Sequence, residues 1–196
     1  MATVAALKKK AAEFEAKKQL EKAIATYREV LDAYDSGSEA DAEIALYNRV
    51  GDLLTRQGNV AEAVTLYERA VDLYTEGGFF NNAIALCNKV LRTSPGRASI
   101  YYKLGKISAA KGFKGEAKQN FLEYADRMQK AGSMDEAFRA LKEFADLVLS
   151  GVAAMLQREY SLRELRVWRK SYLGIPAPFT AEMAAGCDAV INGVGH

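Results

Sequence analysis

The sequence is short of the residues from which most enzyme sites are built. Its single histidine is His196, the last residue. Neither a histidine-based nucleophilic triad nor a multi-histidine metal site can be assembled within the chain. Two cysteines, Cys87 and Cys187, are too few for a disulfide framework. Cys87 falls on the core side of a helical pattern and reads as a small buried hydrophobe. Proline occurs three times, twice late, at Pro176 and Pro178, so little before residue 150 opposes helix. The net charge of +2 gives the molecule as a whole no electrostatic footprint for nucleic acid. The longest weakly polar run, Leu147 to Leu156, is too short to span a bilayer. No apolar signal-type stretch separates Lys8, Lys9 and Lys10 from Glu13, Glu15, Lys17 and Lys18, and the expected compartment is the reduced cytoplasm. Gly77-Gly78 and Gly112 with Gly115 follow no strand and read as turns, not phosphate loops. Glu13 and Glu15 point to different sides of a helix and suggest no acid–base pair. The expectation is a protein with no catalytic residue, cofactor or metal.

What is abundant is helix-forming and repetitive. The chain is 49% hydrophobic and 27% charged, an ordinary soluble balance. A small turn, an alanine and a bulky residue four positions later recur: Ala23 with Tyr27, Ala63 with Tyr67, Ala83 with Cys87, Ala117 with Phe121, Ala137 with Leu141. Alanine permits close helix crossing, and the residue four positions on shares its face. Glycine precedes most copies, in Gln57-Gly58-Asn59, Glu76-Gly77-Gly78, Lys111-Gly112-Phe113 and Ala131-Gly132-Ser133, where a left-handed residue would close a helix. Eight helices are predicted, at about 2–18, 20–35, 40–57, 60–77, 80–93, 97–111, 114–131 and 134–150. Ser38 is a candidate cap for the third.

These features resemble the tetratricopeptide repeat (TPR) family, a helix-turn-helix unit with an aromatic, Leu-Gly and Tyr in its first helix and Ala, an aromatic and Ala in its second. Tyr101, Leu104, Gly105, Ala117 and Phe121 fit the pattern; so do Tyr47, Val50, Gly51, Leu54, Ala63, Tyr67 and Ala70. Leu7, Ala11, Phe14, Ala23 and Tyr27 make a degenerate first copy, with Lys10 in the leucine position. Pro95 closes the unit of Ala83, Cys87 and Val90. The alanines step irregularly, by 20 residues from Ala63, 34 from Ala83 and 20 from Ala117. Helix 60–77 would then be the second helix of one unit and the first of the next. The segment Tyr74 to Phe79 also looks like the long-helix TPR variants of vesicle-fusion adaptors.

The resemblance implies an all-α, right-handed solenoid of antiparallel helix pairs over residues 1–150, whose concave face holds a peptide or helix of a partner protein. Its identity is not implied. Carrying over groove positions gives Lys8, Asn48, Asp52, Thr55, Tyr102 and Lys106 as contacts. The set of Lys, Asn and Arg residues that grips chaperone C-termini is not matched, because Ala12 and Arg49 stand where asparagines are needed.

After residue 150 the repeat stops. Residues 151–173 read as a capping or amphipathic helix, with Leu162, Leu165, Trp168 and Tyr172 on one side and Arg163, Arg166 and Lys170 on another. That basic face supports an alternative function, an adaptor at a membrane surface or on nucleic acid. Residues 174–196, opened by Gly174-Ile175-Pro176, read as an irregular tail or the start of a continuation.

Overall fold

The computed structural model describes residues 3–37 and 43–160, which form eight α-helices and no strand. They are α1 (Val4–Ala16), α2 (Leu20–Asp35), α3 (Ile44–Arg56), α4 (Val60–Glu76), α5 (Phe80–Thr93), α6 (Ser99–Ala110), α7 (Lys114–Lys130) and α8 (Met134–Tyr160). This is the all-α, TPR-like solenoid the repeats imply. α3 starts later than expected, after Glu43; Ser38 lies outside the described residues. α8 does not end at 150. It passes through Ser150 and Gly151 to Tyr160, although the chain divides into compact units at Met1–Leu149 and Ser150–His196.

The reason is visible in how the other helices stop. Between α3 and α4, Gly58 takes φ +87°; its N–H donates to Thr55 O and that of Asn59 to Leu54 O. This pair of bonds satisfies carbonyls left open at the helix end. The same pair closes α1, α4, α6 and α7, at Lys18, Gly78, Gly112 and Gly132. In every case the key alanine lies five residues after the left-handed one: Ala23, Ala63, Ala83, Ala117 and Ala137. α5 instead stops before Ser94-Pro95-Gly96, and proline cannot continue a helix. Nothing comparable follows Leu147, so α8 runs on.

Each turn drops its alanine, 0–6% exposed, against the preceding helix. Four residues later the bulky side chain fills a matched recess. A Cβ on Gly51 would run into the Tyr67 ring, and one on Gly105 would come within 2.8 Å of the Phe121 ring. Sixteen residues separate each of these pairs, and the same spacing links Ala11 with Tyr27, Val71 with Cys87 and Ala125 with Leu141. Volumes compensate. Where the first residue is glycine or alanine the second is large; where it is Val71 the second is Cys87, both fully buried.

α4 therefore works twice. Its Tyr67 fills α3 and its Val71 receives α5, so α3/α4 and α4/α5 both pack as full hairpins, while α2/α3 and α5/α6 touch more lightly. Phe121 of α7 fills α6 in the same way, and its ring also meets that of Phe144 of α8 at 5.5 Å. The shared helix sets a longer period than any single hairpin: 54 residues on, Tyr47, Gly51, Gly58, Ala63, Tyr67, Gly78 and Ala83 become Tyr101, Gly105, Gly112, Ala117, Phe121, Gly132 and Ala137. The described residues form one hairpin, α1–α2, followed by two copies of a three-helix module, α3–α5 and α6–α8.

Cys87→Leu alone overpacks its recess and should cost about 1–3 kcal/mol. Combined with Val71→Ala, which recreates the Ala125/Leu141 arrangement, most of that loss should return in a double-mutant cycle read by urea unfolding; simple additivity would show that the two volumes are not matched. Lys18, at φ +58°, is the non-glycine in the series. Lys18→Gly should raise stability by up to about 1 kcal/mol, since relief of left-handed strain exceeds the added freedom of the unfolded chain; an unchanged urea midpoint would count against that.

Candidate functional site

Three acid–tyrosine–cation clusters tie α1, α2 and α3 each to the next two helices. Glu15 at the end of α1 accepts from the Tyr27 hydroxyl of α2 at 3.3 Å and from Arg49 of α3 at 2.9 Å. Twenty residues on, Asp35 of α2 accepts from Tyr47 of α3 at 2.8 Å and from Arg69 of α4 at 3.0 Å. Twenty further, Thr55 replaces the acid beside Tyr67 at 3.2 Å, and Asp52 supplies the missing carboxylate, accepting from Tyr67 at 2.6 Å and pairing with Lys89 of α5. Arg49 and Lys89 also lie over the Tyr27 and Tyr67 rings. Each cation sits 34 residues after its acid or threonine, so the ties are to helices two places along the chain.

These ties define two layers in residues 1–149. α1, α3 and α5 stack in one; Lys8 with Glu43 and Lys89 with Asn48 at 2.8 Å reinforce it. α2, α4, α6 and α8 stack in the other, through Arg28 with Glu62 at 2.5 Å, Arg97 with Glu68 at 2.7 Å, Lys103 with Asp72, and Lys106 with Glu143 at 3.7 Å. Because α4 is shared, the second module is displaced by three helices and changes layer.

The sequence-derived groove residues separate accordingly. Asn48, Asp52 and Thr55 are brought together on α3, around Tyr67 and Lys89. Lys8 lies in the same layer on α1. Tyr102 and Lys106 belong to α6, in the opposite layer, and both engage Glu143. Yet they are true counterparts of Asn48 and Asp52: Glu143 stands to them as Lys89 does to the α3 pair, with the sign of the charge reversed. Arg163, Arg166 and Lys170 lie outside the described residues. Lys89 and the Tyr67 hydroxyl were not read from sequence as part of a polar site, since Tyr67 reads as core. The signal was available in the 34-residue spacing of cation and acid.

At the Glu15–Arg49 pair an open depression of about 550 Å³ lies between α1 and α3, with Leu20 of α2 also in its lining. Ala12 and Ala16 make part of its lining, with Lys18, Arg49 and Arg56 as its cations and Glu15 as its acid. Arg49 is committed to Glu15; Arg56 and Lys18 have no ion-pair partner among the described residues. No cluster among the described residues has metal-binding composition, and no described helix is long and apolar enough to cross a membrane. Burial pushes the Cys87 thiol up to about 12, so it stays a protonated core group.

Electrostatically the layer ties are quiet. Burial alone would raise the Glu68 carboxyl, but hydrogen bonds from Arg97 and Ser99 bring it below its usual range. Tyr47, Tyr67 and Tyr102 are pushed up to about 12, by burial first and then by their hydrogen bonds to Asp35, Asp52 and Glu143.

A solenoid of antiparallel helices presents an extended surface. The tetratricopeptide repeat family model matches residues 3–76, the segment spanning α1 to α4. Over that segment the chain carries tetratricopeptide repeats, and Gly105 with Phe121 repeats beyond it the crossing of Gly51 with Tyr67. No protein of curated function matches the sequence. Among solved structures, MamA (AMB-1) is 17% identical, with 74% of this chain and 91% of that one covered and a TM-score of 0.29. A tetratricopeptide repeat protein from Parabacteroides merdae is 20% identical, covering 83% and 80%, at 0.32. The C-terminal TPR-containing domain of a Plasmodium falciparum FK506-binding protein is 24% identical, covering 73% and 91%, at 0.31. Superposition this loose carries no argument about function.

The raised tyrosines make a pH prediction. A phenol held at about 12 in the fold and at 10.0 when unfolded stabilises fully below pH 10, and that contribution is lost as pH rises from 10 to 12. Tyrosinate absorbance should therefore rise together with loss of helical circular dichroism in that window. Tyr67→Phe should lower neutral stability by about 1 kcal/mol and flatten the alkaline decline; an alkaline limb identical to the parent's would contradict the role given to the hydroxyl.

Proposed function

We propose that the chain is a non-enzymatic interaction scaffold that holds an extended segment of a partner protein against the α1–α3–α5 layer. The observation that carries this reading is the set of polar groups on α1, α3 and α5. Asn48, Asp52 and Lys89 form one half-buried cluster, and the depression lined by Ala12, Ala16 and Arg49 adds two cations without an ion-pair partner among the described residues, Arg56 and Lys18. Half-buried amide and carboxylate groups offer a peptide backbone both donors and acceptors, and their neighbours already hold them in place. The helices supply a rigid platform, so little ordering cost falls on the scaffold itself.

Tyr102 and Lys106 then belong to a different surface from Lys8, Asn48, Asp52 and Thr55. The alternative, an adaptor using Arg163, Arg166 and Lys170 on a membrane surface or nucleic acid, rests on residues outside those described, and it enters as a control arm.

The test uses the full chain to select binders from a displayed library of random peptides. Selected peptides should lose about tenfold or more in affinity with Arg56→Glu or Asn48→Ala, and stay within about twofold with Arg163, Arg166 and Lys170 changed to glutamate. If no selected peptide responds to either face substitution, the assignment to this layer fails. Binding to anionic vesicles or oligonucleotides that disappears with the three C-terminal changes would support the alternative instead.

A further inference from the structure

The repeated module contains its own record of what sits on its open end. At the end of the first module, α6 folds back onto α4 and α5. Arg97 and Ser99 reach Glu68, Lys103 reaches Asp72 and Lys111 reaches Asn81 at 2.9 Å. Ile100, Leu104 and Ile107 of α6 are buried in the core against which Phe80 and Ile84 of α5 pack. The seat of α6 is thus Glu68 and Asp72 on α4, with Phe80, Asn81 and Ile84 on α5.

Fifty-four residues on, the same five positions are Leu122 and Asp126 on α7, with Met134, Asp135 and Phe138 on α8. No helix among the described residues covers them. Leu122 is 47% exposed, Met134 44% and Phe138 66%. The cause is the missing stop: Leu149 and Ser150 stand where Pro95 and Gly96 turn the chain back, so α8 is not terminated where α5 ends. An apolar patch of large side chains is left in the geometry of a seat that is filled one module earlier, edged by Asp135 and by Asp126, whose present partner is the exposed Lys130 at 2.6 Å.

We propose that this α7–α8 end face docks an amphipathic helix of a partner protein, in the manner in which α6 docks on α4 and α5. The occupant is specified by the template. It carries an aliphatic stripe spaced like Ile100, Leu104 and Ile107, and cations spaced like Lys103 and Lys111 to meet Asp126 and Asp135. It also carries an apolar residue where Arg97 stands, because Leu122 replaces the Glu68 carboxylate. This surface is separate from the α1–α3–α5 layer, and its occupancy does not depend on the reading given to that layer.

The probe is a fluorescently labelled peptide of residues 97–112 of this chain bearing Arg97→Leu and Ser99→Leu, titrated into the full-length protein and followed by anisotropy. Saturable binding is expected, weakened about tenfold or more by Phe138→Glu and by Leu122→Glu, and unchanged by Arg56→Glu. A peptide with Lys103→Glu and Lys111→Glu should bind worse, and should recover on protein carrying Asp126→Lys and Asp135→Lys. Both apolar positions are exposed, and an unchanged thermal melt verifies that the variants fold. Three results would overturn the proposal: no saturable binding up to about 1 mM, binding indifferent to both glutamate variants, or self-association in sedimentation equilibrium that vanishes with Phe138→Glu and assigns the face to a second copy.

Discussion

Everything in this fold depends on how closely two consecutive helices can cross. The distance is set where a residue on one helix meets the side chain sixteen positions later on the next. Tyr67 can lie against α3 only because Gly51 has no Cβ, and Phe121 against α6 only because Gly105 has none. The Val71/Cys87 pair reaches the same fit with the sizes reversed. Close packing leaves few other solutions, since a void or an extra methylene at a fully buried crossing costs on the order of a kcal/mol or more. The left-handed residue five positions before each alanine has the complementary task of aiming the second helix so that the crossing occurs.

Crossing distance alone would leave the layers free to slide. The acid–tyrosine–cation clusters oppose this, because each binds three helices at once. A tyrosine hydroxyl emerging from the core needs a partner, and a carboxylate at the preceding helix end provides one. The cation from two helices along then neutralises the acid. Among the described residues no buried side-chain polar atom lacks a hydrogen-bond partner. Individually the exposed ion pairs contribute little. As a repeated set they specify which helix stacks on which, and so which polar residues share a face.

Much of the architecture was legible from local signals. Turn glycines, alanines and the bulky residues four positions on located all eight helices, because helix ends and close crossings demand particular residues at short range. The irregular 20- and 34-residue steps also pointed correctly to a shared helix. Two things were not legible. The end of α8 was expected at Ser150-Gly151, yet a glycine stops a helix only where the following backbone bonds close the turn, and there they do not. The groove residues were assigned by family position, which treats every first helix as equivalent. Tyr102 and Lys106 do match Asn48 and Asp52 in register, but an odd number of helices separates α3 from α6.

The sequence by itself determined the helices, the sizes at each crossing and the identity of α4 as a helix used twice, because these follow from contacts close along the chain. Only the tertiary structure decided which layer each helix joins. With it came the division of the polar candidates between two surfaces and the exposure of Leu122, Met134 and Phe138. Those outcomes depend on a count of helices and on whether one helix turns back or runs on. The first accumulates over the whole solenoid, and the second rests on a proline present after α5 and absent after α8.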